Sequence, residues 1–150
     1  RECPERAGRG RGMQATAMQA PLAPELVVLG WSVLLLALLI ALQSQLASLE
    51  RGLGWNAGPR DGPPEPLGPR AGRAERALKN FLETYPAFIG LALALAVSGR
   101  SGGMGATGAW LWLGARIAHV PLYIFGVAYV RSLAWTLSAA GLGLMLIRLL

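Results

Sequence analysis

Leu26-Val-Val-Leu-Gly-Trp-Ser-Val-Leu-Leu-Leu-Ala-Leu-Leu-Ile-Ala-Leu-Gln-Ser-Gln-Leu46 decides the fold. An α-helix needs about 20 predominantly apolar residues to cross the hydrocarbon core of a bilayer, and this run supplies them. Strands of a membrane barrel alternate apolar and polar residues, whereas Val33 to Ile40 is apolar at every position. The run is therefore a membrane helix, expected over 25–47. Pro24 and Glu25 suit its first turn, where a missing N–H is harmless and a carboxylate meets the positive end of the helix dipole. Its length, and the lack of a small-residue cleavage site, separate it from a removable secretion signal.

Gly52, Gly54, Gly58-Pro59, Gly62-Pro63-Pro64, Pro66 and Gly68-Pro69 punctuate the segment that follows. Glycine and proline at this density sustain no regular structure, so a connection is expected over 48–71. Three further helices are expected over 72–97, 106–128 and 131–149, with a short polar turn around 99–105. The fold class is an all-α membrane protein, a four-transmembrane-helix bundle of antiparallel, up-down topology, over residues 18–150. Residues 1–17 are rich in Arg and Gly and do not begin with Met. They are expected to be a non-native or disordered N-terminal extension outside the fold.

The chain is 53% hydrophobic and 15% charged, with the charges clustered, which excludes a disordered chain and argues against an ordinary soluble domain. The net charge of +6 is not arranged as a basic stripe interleaved with aromatics, so nucleic acid is not an expected partner. In a membrane protein the charge reports orientation instead. Arg51, Arg60, Arg70, Arg73, Arg76 and Lys79 flank or occupy the first connection and Arg131 sits at the third, while only Arg100 and Arg148 fall opposite. The positive-inside rule then puts those two connections in the cytoplasm and both termini outside. Arg1, Arg6, Arg9 and Arg11 pull the other way. Cys3 is the only cysteine, so no intrachain disulfide is possible.

Two polar patches interrupt the apolar helices. Arg73, Arg76, Asn80 and Glu83 stand three, four and three apart on the second helix, and Arg116, His119 and Tyr123 three and four apart on the third. Each set is expected on one helix face. In antiparallel neighbours Arg76 then falls near the depth of Tyr123, Asn80 near His119, and Glu83 near Arg116. Charges within a span cost roughly 2.5–3.5 kcal/mol each on insertion scales, so such a seam either binds something or clasps two helices together. Several cations, one carboxylate, an amide and a phenol suit a small zwitterionic or anionic peptide-like guest. Arg131 is placed to stabilise a thiolate, or is simply a cytoplasmic-side cation. His119 is the only histidine, and with no second histidine or nearby cysteine a metal is not expected. Pro86 and Pro121 each leave a helix carbonyl without its N–H partner beside the seam. The chain holds no pairing of nucleophile with base, no phosphate-cradling loop and no paired acid and base carboxylates.

At these residues the chain resembles the MAPEG family, the membrane-associated proteins in eicosanoid and glutathione metabolism, and most of all its bacterial members. The resemblance rests on Arg76-x-x-x-Asn80-x-x-Glu83, Pro86, Phe88, Gly108-Ala109, Ala115-Arg116-x-x-His119-x-x-x-Tyr123 and Arg131, over roughly 70–135. It implies a MAPEG-like homotrimer in a bacterial inner membrane, with glutathione as co-substrate held between adjacent subunits. It implies glutathione contacts from Arg76, Asn80, Glu83, Arg116 and Tyr123, and an arginine at 131 that activates the thiol. Arg73 and His119, on the same faces, complete the expected binding set. Thr84 and His119 stand where some members carry tyrosine, which disfavours a leukotriene substrate. The expected function is a glutathione-dependent transferase or peroxidase acting on lipophilic electrophiles, with membrane lipid as surroundings. The alternative is a non-catalytic member of the same fold that binds lipid or a membrane partner.

Overall fold

The computed structural model describes residues 21–52, 54, 57–59 and 66–150. Four α-helices organise them: α1 (Pro24–Arg51), α2 (Pro69–Val97), α3 (Met104–Phe125) and α4 (Ala128–Leu149). The extension expected over 1–17 and much of the first connection lie outside the described residues.

Glycines and prolines set several helix ends; the ends at 97 and 149 fall where expected, and the other bounds lie one to four residues away. Pro24 and Pro69 open α1 and α2 at the first turn, where a fixed φ is already helical. α1 runs four residues past the expected 47 and stops at Gly52, whose φ of 84° is open to glycine. At 28 residues it is about 42 Å long, longer than a hydrocarbon core of about 30 Å. Its last turns therefore reach past the lipid tails, where Glu50 accepts the Gly68 N–H at 2.7 Å and ties α1 to the start of α2. α3 stops at Phe125, three residues early, because Gly126 adopts a left-handed φ of 79° and its N–H turns back to Leu122 and Tyr123. α4 consequently begins at Ala128, and Arg131 lies one turn inside it rather than at its start.

α2 and α3 form the centre, touching each other and both outer helices, while α1 and α4 do not meet among the described residues. The closest pair is α3 with α4. A Cβ at Gly108 would stand 2.5 Å from the Gly141 carbonyl oxygen, and one at Gly141 2.6 Å from that of Gly108, so the two backbones touch as small residues permit in membrane bundles. The core is an aromatic stack. Phe88 and Trp112 lie face to face with centroids 3.8 Å apart, flanked by Phe81 and Tyr85. The Tyr85 hydroxyl meets Ser32 of α1 at 3.1 Å. Glu25 is fully buried and accepts the Gly102 N–H at 2.8 Å, pinning α1 to the turn between α2 and α3.

Outside this core the helices are greasy and uncovered. α1, α2 and α4 are long and apolar enough to cross a membrane, and only 22–28% of their most apolar windows is buried inside the subunit. Leu34, Leu38, Leu133 and Ile147 all point outward. Lipid or a neighbouring subunit must solvate such surfaces. α3 does not reach that apolarity, since it carries Arg116 and His119, and like α2 it packs on all three other helices.

Candidate functional site

The polar row of α2 divides into two lines. Residues seven apart return to within about 20° of the same line on a helix, whereas steps of three or four leave it by more. Arg73 and Asn80 are one such pair and turn toward α3; Arg76 and Glu83 are the other and turn toward α1. One face in sequence is two edges in space.

Arg116 is the hub of the inner edge. Only 1% exposed, it donates from Nη1 to Asn80 Oδ1 at 2.9 Å and from Nη2 to Thr84 Oγ1. Its Cζ lies 6.0 Å from the centre of the Trp112 ring. The expected partnership with Glu83 is indirect, since Glu83 Oε2 instead faces Asn80 Nδ2 at 3.5 Å. Thr84 was missed as a member of the set because a threonine amid apolar residues looks like helix packing. Its spacing of four from Asn80 is the signal that could have placed it on the α3 side.

Asn80, His119, Tyr123 and Arg131 line one cavity of about 280 Å³ among α2, α3 and α4, joined by Ser132, Trp135 and Thr136. His119 meets Tyr123 edge-on at 5.4 Å, and Arg131 lies over the Tyr123 ring at 4.4 Å, a cation–π contact that fixes the guanidinium. Arg76 and Glu83 line a separate, open concavity of about 770 Å³ between α1 and α2, with Gln43, Glu75, Leu78, Lys79 and Leu82.

Arg73, expected in the binding set, is engaged within the subunit. Its Nη1 donates to the Ile124 carbonyl at 3.2 Å, and its guanidinium lies where a Cβ of Gly126 would be, 2.9 Å away. It closes the carbonyl end of α3 and steadies the turn leading to Arg131. Trp112 is fully buried, while Trp110 and Trp135 are 50% and 41% exposed. Ala139 and Gly143 have the spacing of a small-residue contact but do not make one: a Cβ at Gly143 meets nothing within 4 Å, and Gly141 makes the approach.

Four helices, three of them apolar enough to cross a bilayer, with a polar cluster between the central pair define a helical integral-membrane protein. A sequence model of the MAPEG family matches residues 28–150, and the chain belongs to that family. Family members are in general membrane oligomers that use glutathione and act on lipophilic molecules. No curated protein and no solved structure matches the chain.

Proposed function

We propose that the protein is a glutathione-dependent transferase or peroxidase that works as a homotrimer with glutathione between neighbouring copies. The single supporting observation is the division of the polar residues over two faces of one subunit. The cavity holding Asn80, His119, Tyr123 and Arg131 is about 280 Å³, at the small end of the ~300–1,000 Å³ usual for ligand sites. Arg76 and Glu83 line the concavity on the α1 side instead, Glu83 reaching the first cavity only through its 3.5 Å contact with Asn80. Two unlike faces that meet head to tail close into a ring, and each junction would bring Arg76 and Glu83 of one copy to the cavity of the next. Arg131, fixed over Tyr123, would hold the glutathione sulfur as thiolate. The sulfur then attacks an electrophilic carbon of a lipophile, breaking that carbon's bond to a leaving group or opening an activated double bond whose neighbouring carbon takes a proton, or it attacks the O–O bond of a lipid hydroperoxide. With the hydroperoxide the lipid leaves as an alcohol, and a second glutathione reduces the sulfenic acid to disulfide and water. The resemblance to bacterial members supports a bacterial inner membrane, and the charge pattern favours both termini outside and the site toward the cytoplasm.

Detergent-purified protein is expected to bind glutathione at millimolar concentration and raise its thiolate absorbance. Arg131→Ala is expected to lose the thiolate signal by ~10-fold or more while binding falls less. Absence of binding to the wild type would refute the proposal, and an undiminished thiolate signal in Arg131→Ala would refute the role given to Arg131. A second reading, a non-catalytic member of the family, is favoured by the Arg116–Asn80–Thr84 clasp, which joins α2 to α3 without any guest. It predicts an intact oligomer indifferent to glutathione.

A further inference from the structure

We infer that the cleft between α1 and α3 is a binding site for a phospholipid chain, entered from the leaflet opposite the polar cavity. Trp31, Leu34 and Leu38 of α1 form one wall and Trp110 and Ile117 of α3 the other, around about 490 Å³. Leu35 and Leu113 lie at its floor, against the core. The walls match because the two helices run in the same direction from a common level. Glu25, in the first turn of α1, accepts the Gly102 N–H just before α3 and lies 2.8 Å from where a Cβ of Gly105 would be. Trp31 and Leu38 stand seven apart on α1, and Trp110 and Ile117 seven apart on α3, so each pair keeps to nearly one line of its helix.

The cleft is graded along its length. At 1.5 Å per residue it begins about 10 Å below the starts of the two helices and runs ~10 Å further, to Leu38 and Ile117. That is the depth of one leaflet's chains in a hydrocarbon core of about 30 Å. Its inner end offers hydrocarbon alone, while its outer end carries two half-exposed tryptophans. Helical side chains lean toward the N-terminus, which for both helices is this outer end, and an indole N–H only donates. An apolar channel with donors at its outer end fits an amphiphile whose ester carbonyls sit above its chain. The cleft's place in the fold selects lipid over a second copy. α2 and α3 are central and α1 does not meet α4 among the described residues. The cleft therefore opens on the side of α1 away from the concavity of Arg76 and Glu83, and away from the faces joined in the proposed ring. Arg131 lies on α4, beyond reach of this cleft, so the chain held here is not the one that reacts.

This placement borrows the ring of the proposed function, but its test needs no glutathione, so each can fail alone. Delipidated protein in detergent, given palmitoyl-oleoyl phosphatidylethanolamine and read by native mass spectrometry, is expected to keep about one lipid per subunit after looser lipids are stripped. Leu34→Trp places a bulky ring in the cleft and is expected to lower that occupancy about 10-fold or more. Leu133→Trp, at a comparably exposed position of α4, should leave it unchanged. Should Leu34→Trp not fold, Leu38→Phe fills the inner end instead. Wild type that retains no lipid, or filled variants that retain as much as wild type, overturn the inference. A cysteine from Leu34→Cys, in a chain whose only native cysteine is removed by Cys3→Ser, should not cross-link neighbouring copies in the membrane. Such a cross-link would put protein rather than lipid in the cleft and overturn the inference as well. Glutathione binding without a retained lipid leaves the proposed function standing, and a retained lipid without glutathione binding leaves the cleft standing.

Discussion

At the scale of residues, the central fact is a buried arginine answered by neutral oxygens rather than by a carboxylate. Arg116 meets Asn80 and Thr84, with Glu83 one hydrogen bond removed. Hydrogen bonds to an ionised group contribute about 1.5–3 kcal/mol when buried, and leaving such a donor unmet costs at least as much. Thr84→Val, which keeps the shape and deletes the acceptor, is therefore expected to lower the thermal midpoint in detergent by about that energy, and Thr84→Ser to restore it. A Thr84→Val protein as stable as wild type would show that the contact carries no weight. The sequence made Arg116, Asn80 and Glu83 legible because charged and amide groups inside apolar helices are rare. It hid Thr84, whose hydroxyl is equally at home bonded to its own helix, as its 3.4 Å contact with the Phe81 carbonyl shows.

At the scale of elements, the four helices could be read from runs of apolar residues, because lipid demands those runs. The start at Pro24 and the ends at Val97 and Leu149 were legible to within a residue, but the stops before Gly52 and Gly126 were not, because they follow from backbone torsions there. Which small residues touch was also hidden. Ala139 and Gly143 have the spacing for close contact, yet spacing does not say which face of α4 meets α3, and it is Gly141 that does. Gly141→Ala is expected to destabilise the subunit by at least the ~1–3 kcal/mol of an overpacked contact, since backbone rather than a movable side chain stands in the way. Gly143→Ala is expected to be neutral, with open space around it. Thermal unfolding of the two variants side by side checks this, and equal stabilities would contradict the α3–α4 contact.

At the scale of the whole molecule, the row of α2 was read as one seam and is two, because side chains three or four apart drift around the helix while those seven apart nearly coincide. Under the proposed trimer, a site completed by a neighbour would give each edge a use: Asn80 would serve its own subunit's cavity, and Arg76 and Glu83 the next. Co-assembly of two defective subunits tests this most directly. Subunits carrying Arg76→Ala and Glu83→Ala, mixed with subunits carrying Arg131→Ala, should bind little glutathione as thiolate in either pure form. In mixed trimers, each ring contains one junction built from two intact faces, so random mixing should restore about a quarter of the wild-type thiolate signal. No recovery in rings shown to contain both subunits would mean that the residues act within one subunit, and would contradict the account.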